Sequence, residues 1–168
     1  ELLPDTRTNH YEPLVHDVNF SATPGNMAVL TYPVYFDTPG QYFVWARAFS
    51  SGSEDNGLHI GLNNTWPLSS QRLQLCKGKN KWTWSSNQRQ KDNHCGTPNT
   101  IWLDIPERGV HNVTISMRED GFELDKIIIT QNKNFRPEGV GPNETRRYAS
   151  APPLKDTFVG IEEYSLIL

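Results

Sequence analysis

Gly109-Val110-His111-Asn112-Val113-Thr114-Ile115-Ser116-Met117-Arg118-Glu119-Asp120-Gly121-Phe122-Glu123-Leu124-Asp125-Lys126-Ile127-Ile128-Ile129-Thr130 is the stretch that decides the fold class. Val113, Ile115 and Met117 alternate with Asn112, Thr114 and Ser116. A period of two puts the two sets on opposite faces of a strand, which is read as half buried. Asp120-Gly121 is a strong hairpin signal, because both residues accept the positive φ that tight turns demand. The β-branched run Ile127-Ile128-Ile129 inside Phe122 to Thr130 then marks the next strand.

Working upstream, Pro106-Glu107-Arg108-Gly109 separates this stretch from a strand at Thr100 to Ile105. Met27 to Phe36 reads as another strand, and Asp37-Thr38-Pro39-Gly40 as the turn that ends it. In Gln41 to Phe49, Phe43, Trp45 and Phe49 fall on one face and Tyr42, Val44, Ala46 and Ala48 on the other. Both faces are apolar, so this strand should be central. Gly57 to Leu62, Arg72 to Leu75 and Lys81 to Trp84 complete eight candidate strands with no amphipathic helix between them. That pattern is a β-sandwich or barrel. From Gln131 the alternation stops, and Phe158 to Leu168 regains apolar character. The organisation read here is a β-sandwich over residues 1–130 and a linker or tail over 131–168, whose end either docks back as an edge element or begins a following domain.

With 36% hydrophobic and 21% charged residues and a net charge of -3, the 168-residue chain is neither a disordered tail nor a polybasic nucleic-acid binder. No window of continuous apolar residues is long enough for a membrane-spanning helix, so no membrane partner is expected. The opening Glu1-Leu2-Leu3-Pro4-Asp5 has no initiator Met and no leader pattern, which suggests an excised or processed piece. Cys76 and Cys95 flank the polar segment Lys77 to His94 and are either a single bridge, contributing about 3 kcal/mol, or two buried thiols.

Ser116-Met117-Arg118-Glu119-Asp120-Gly121-Phe122-Glu123-Leu124-Asp125-Lys126-Ile127 resembles the closing hairpin of galactose-binding-like jelly rolls, in particular carbohydrate-binding module families 6 and 35. Two further segments are similar to the second strand and following loop of such modules: Pro39-Gly40-Gln41-Tyr42-Phe43-Val44-Trp45-Ala46-Arg47-Ala48 and Glu54-Asp55-Asn56-Gly57-Leu58-His59-Ile60-Gly61. The resemblance covers roughly residues 1–130. It implies an all-β jelly-roll β-sandwich of about eight or more antiparallel strands with an extended C-terminal tail. It also implies a noncatalytic, secreted, periplasmic or cell-surface module, monomeric, fused to a glycoside hydrolase or polysaccharide lyase that it holds on its polysaccharide. A structural calcium is implied as well, with Asp125 in the last strand and Glu1 near the first as ligands. Family 6 modules carry a sugar-contacting Asn two residues before that Asp, where this chain has Glu123.

The residues themselves offer what a sugar needs, namely flat apolar faces for C–H groups and planar polar groups for pairs of hydroxyls. Trp82 and Trp84 are two apart in a polar setting and point the same way on a strand, as a stacking platform or as sandwich filling. Trp45 and Trp102 lie in apolar strands and are expected in the core; Trp66 lies in a turn, as a lid or a platform. Glu54, Asp55 and Asn56 crowd one loop, and Arg118, Glu119 and Asp120 another; these are candidate ligand groups or solvated turn residues. Arg47, among aromatics, needs a carboxylate partner. Lys77, Lys79, Lys81, Arg89 and Lys91 surround the tryptophan pair in sequence, which favours an anionic polymer on that face. No nucleophile, zinc or phosphate-loop motif occurs, Glu119 and Asp120 do not make a glycosidase pair, and His59, His94 and His111 read as structural. The function read from these features is a polysaccharide-binding accessory module for an algal polymer (agar, carrageenan, porphyran or alginate type) or a plant cell-wall polymer. The alternative is a structural or protein-interaction β-sandwich without a glycan.

Overall fold

The computed structural model describes residues 18–52 and 55–145, and the backbone of 166–167. It is a β-sandwich of two antiparallel sheets. Strands β1 (Val29–Phe36), β7 (Gly109–Met117), β3 (Gly57–Leu62) and β4 (Leu73–Gln74) form the first sheet in that order. The second has the order β5 (Thr83–Ser85), β2 (Gly40–Phe49), β8 (Glu123–Thr130), β9 (Leu166–Ile167), and β6 (Trp102–Ile105) also pairs with β2. Beside these stands only a single turn of 3-10 helix, Leu68–Ser70, among the described residues.

The strands lie close to their sequence positions, but their pairing departs from expectation. Asp120-Gly121 is not a hairpin turn. Strand β7 pairs with β1 and β3, whereas β8 pairs with β2 and β9, so the two residues carry the chain from one sheet to the other. Gly121, at φ 77°, takes the left-handed backbone this corner needs. Asp37 to Gly40 makes the same kind of crossing between β1 and β2. Leu166 and Ile167 form an edge of the second sheet, pairing with Ile129 and Ile128.

Between the sheets lie Val34, Phe36, Ile60, Val113 and Ile115 from the first, and Val44, Leu103, Ile105, Ile127 and Ile129 from the second. Each such side chain contributes roughly 1.5–3 kcal/mol by leaving water. Strand β2 is central, as its two apolar faces require. Its outer face carries Trp45, which packs with Ile128, Trp84 and Phe135 in a second, smaller cluster. Strand β7 is more buried than its alternation suggests, since Thr114 and Ser116 are also covered. The reason is the loop before β1: Gly25 N donates to Ser116 Oγ at 2.8 Å, and the Trp66 ring lies over Gly25 and Gly61. Trp66 is thus a packed lid on the first sheet. Trp102 corrects the expectation of a core position. Ile101, Leu103 and Ile105 point inward along β6, so the period of two turns Trp102 and Asp104 outward.

His59 is fully buried on the outer side of β3. Its Nε2 faces Ser21 O at 3.2 Å, and its Nδ1 accepts from Arg72 N at 3.2 Å, so the neutral ring has a partner for each nitrogen. Burial first, and then the positive charges of Arg118 and Arg72, lower its pKa from 6.5 to about 4 against the opposing Ser21 carbonyl. Between pH 6.5 and about 4 the unfolded chain therefore takes up a proton that the folded chain refuses, and stability falls as pH is lowered across this window. The full effect is roughly 3 kcal/mol. Urea denaturation of wild type and His59→Gln at neutral pH and at pH 4 isolates it from carboxylate titration. The variant is expected to lose clearly less stability than wild type on acidification, and equal losses would exclude the linkage.

Candidate functional site

The two polar loop clusters, far apart in sequence, are brought together by register. Leu58 stands opposite Met117 in the β3–β7 pair, so continuing the two strands places Asn56 beside Glu119. Asn56 N donates to Glu119 Oε2 at 2.9 Å, Arg118 forms an ion pair with Glu119, and the Arg118 guanidinium lies 5.1 Å from the Phe20 ring centroid. Gln74 Nε2 donates to Asn56 Oδ1. The Asp55 carboxylate accepts from Ser50 Oγ (2.9 Å), Ser51 N (2.7 Å), Ser51 Oγ (2.6 Å) and Gly52 N (2.8 Å). Asp55, Asn56, Arg118 and Glu119 are all buried and hold one another and the loop backbone. Gly57 makes this possible, since a Cβ there would sit 3.1 Å from Arg118 Cδ. Glu54 lies outside the described residues, as does Glu1.

The tryptophan pair lies on the outer side of the second sheet. Trp84 is half buried: its Nε1 donates to Gly139 O at 3.1 Å, and its ring covers Gly141, where a Cβ would come within 2.6 Å of it. The segment 132–141 is thus a strap across the sheet, with Phe135 against Trp45 and Lys126 Nζ donating to Val140 O at 3.0 Å. Trp82 lies outside this cover and is 42% exposed. Its ring rests on Phe49 (5.8 Å between centroids) and beneath the Arg47 guanidinium (5.3 Å).

Arg47 has the carboxylate it needs in Asp125, Nη1 to Oδ2 2.6 Å, and its Nε donates to Gly139 O at 3.2 Å. Register explains how Asp125 comes to face this way. Arg47 stands opposite Lys126 and Ala48 opposite Leu124, so Asp125 is the extra residue of a β-bulge, free to turn outward while Leu124 packs inward. The Asp125 carboxylate is engaged by a guanidinium, no set of three or more acidic, His or Cys side chains gathers among the described residues, and Glu1, the other expected calcium ligand, lies outside them.

Two grooves flank the 3-10 turn. One, of about 620 Å³, is walled by Trp102, Leu62, Pro67, Leu68 and Pro106 with Asp104 at its side. The other, of about 420 Å³, lies between the turn and the segment after β5, with Arg72, Arg89 and Lys91 in its lining. The fold therefore removes Arg89 and Lys91 from the tryptophan pair, with which the sequence groups them. Cys76 and Cys95 form a disulfide, Cα to Cα 5.5 Å, that closes the long loop carrying β5 and these residues.

Residues 11–144 match the glycosyl hydrolase family 115 C-terminal domain. The chain belongs to this family. An uncharacterized protein P23 of Formosa agariphila is 55% identical over 152 residues, covering 90% of this chain and 37% of the relative, so the chain spans little more than a third of that protein's length. No solved structure matches the chain. The family 115 C-terminal domain is an accessory domain of a glycoside hydrolase.

The Arg118–Glu119 pair is desolvated, so removing Glu119 takes from a buried guanidinium the carboxylate it faces. Glu119→Ala is expected to destabilise the family 115 domain by about 3–5 kcal/mol. Equilibrium denaturation checks this, and a loss below about 1 kcal/mol would place the pair with ordinary surface bridges.

Proposed function

We propose that this domain is a noncatalytic polysaccharide-binding module that holds the attached glycoside hydrolase on its substrate, and that the face carrying Trp82 is where the polymer lands. The observation that carries this reading is the 42% exposed Trp82 ring, held between Phe49 and the guanidinium of the Arg47–Asp125 pair with the rest of its surface open. Tryptophan, with an apolar body and a polar N–H, is enriched at interfaces where one side packs and the other stays wet. The ring offers a flat apolar surface to the C–H side of a pyranose. Asp125, with its side chain 36% exposed, keeps acceptor capacity for sugar hydroxyls beyond its bond to Arg47. Phe49, the Arg47–Asp125 pair and the strap hold the platform in one orientation, which limits the ordering entropy lost on binding.

A single open platform buries few sugar rings, so affinity for one site is micromolar or weaker. The polymer we propose is an algal galactan or uronan of the agar, carrageenan, porphyran or alginate type, or a plant cell-wall polysaccharide, met outside the cell. Affinity electrophoresis over such a panel tests the reading. Trp82→Ala is expected to lower affinity for the bound polymer about tenfold or more. Its melting temperature should fall by no more than about 2–4 °C, since an exposed ring contributes little to the core. A large loss of stability with unchanged binding would make Trp82 a packing residue and leave a structural role for the domain.

A further inference from the structure

The groove between the 3-10 turn and the segment after β5 concentrates positive charge in a chain whose net charge is -3. Arg72, Arg89 and Lys91 line it together with the side chains of Gln71 and Gln88 and the exposed Leu68, and the lining contains no carboxylate. None of the three charged heads has an ion-pair partner among the described residues. Two of them are held side by side by the backbone, since Arg89 N donates to Arg72 O at 2.8 Å. Arg72 itself is at φ 58°, a left-handed conformation unfavourable for a long side chain, and is kept there by the bond from its N to His59 Nδ1.

The scaffold beneath is equally built. Gln88 N donates to Thr100 Oγ1 at 3.0 Å, Gln88 Nε2 donates to the carbonyls of Leu68 and Gln71, and the Cys76–Cys95 disulfide closes the loop. Two guanidiniums and an ammonium thus line one groove whose lining holds no carboxylate, and Arg72 is there in a left-handed backbone conformation. Guanidinium groups match the paired oxygens of carboxylate and sulfate. Leu68, 81% exposed, lines both this groove and the larger one on the other side of the turn, whose lining includes the half-exposed Trp102 and Asp104. A cationic groove with an exposed apolar side chain at its margin offers an anionic saccharide both a charge partner and a surface for its C–H groups.

We propose that this groove is a second saccharide subsite, separate from the Trp82 platform, which binds a sugar residue bearing a carboxylate or sulfate through Arg72, Arg89 and Lys91. The inference rests on the polysaccharide-binding reading for the kind of molecule that carries the anion, and on the groove itself for the charge.

The test follows the Arg Nε–Hε NMR signals of the intact chain during titration with a uronate monosaccharide, a sulfated monosaccharide, neutral galactose, and sodium sulfate and acetate as plain anions. Saturable shifts at Arg72 and Arg89 with one of the charged sugars, stronger than with the matching plain anion and absent with galactose, are expected; the effective charged sugar names the substituent. Equal response to the plain anions, or none to either charged sugar, overturns the proposal whatever the fate of Trp82. In affinity electrophoresis, the pair Arg72→Asn and Arg89→Gln should weaken binding of an anionic polymer about tenfold and flatten its salt dependence. Asn is chosen at residue 72 because it tolerates the left-handed backbone. Lys91→Gln, an exposed change, should weaken binding in the same direction without altering the melting temperature. Trp82→Ala should leave the Arg72 and Arg89 shifts intact. Undiminished anionic binding in both the double and the Lys91 variants overturns the subsite, while loss of polymer binding in Trp82→Ala with these shifts intact speaks to the platform alone.

Discussion

Strand β2 has no face turned to water, and most of the architecture answers that constraint. Its inner side chains Tyr42, Val44 and Ala46 pack into the space between the sheets. Its outer side carries Phe43, Trp45, Arg47 and Phe49, too apolar a row to leave bare. A sandwich core covers only one of these faces. The other is covered by Trp84 from β5, Ile128 from β8 and the strap after Thr130, with Phe135 against Trp45 and Arg136 5.7 Å from its ring centroid. The tail is therefore part of the packing of the domain, at least through Gly141.

The strap stops short of the far end of β2, and there the proposed platform begins. Arg47 marks the boundary: Gly139 of the strap bonds its Nε, Asp125 its Nη1, and Trp82 lies against its face. A cation held by two hydrogen-bonding partners covers part of the neighbouring ring, orders it and leaves it 42% exposed. The bulge at Asp125 is what makes this possible, because in regular alternation from Ile127 and Ile129 its carboxylate would lie on the inward face of β8. The open ring is thus a by-product of how the buried rows beside it are satisfied, and its chemistry suits a sugar.

At the same end of the sandwich, where β7 passes through Asp120-Gly121 into β8, the buried Arg118–Glu119–Asn56 group ties the end of β7 to the start of β3. Such a group is costly to desolvate and adds register where apolar packing alone would tolerate slippage. The neutral imidazole of His59 extends the same device to the 3-10 turn, since its bond to Arg72 sets the backbone of the residue that faces the cationic groove. Acidification that charges the ring would remove that acceptor, so stability and groove geometry share one buried group.

Period-two alternation and turn residues determined the strands, the centrality of β2 and the sandwich, because these depend on local polarity and on backbone preferences within a few residues. The need of Arg47 for a carboxylate was equally legible, as a charge among aromatics cannot be left alone. Only the tertiary structure decided which strands share a sheet. Asp120-Gly121 reads as a hairpin because a positive-φ turn looks alike whether the chain folds back or crosses over. Only the fold separated Trp82 from Trp84, since their exposure depends on a strap more than fifty residues away along the chain. It also buried Asp55, Asn56, Arg118 and Glu119, which are polar enough to suggest a surface until register places them against each other. The same cause moved Arg89 and Lys91 beside Arg72. Charge and polarity are properties of residues, but whether they meet water, a ligand or one another is set by contacts remote in sequence, and no local pattern encodes those.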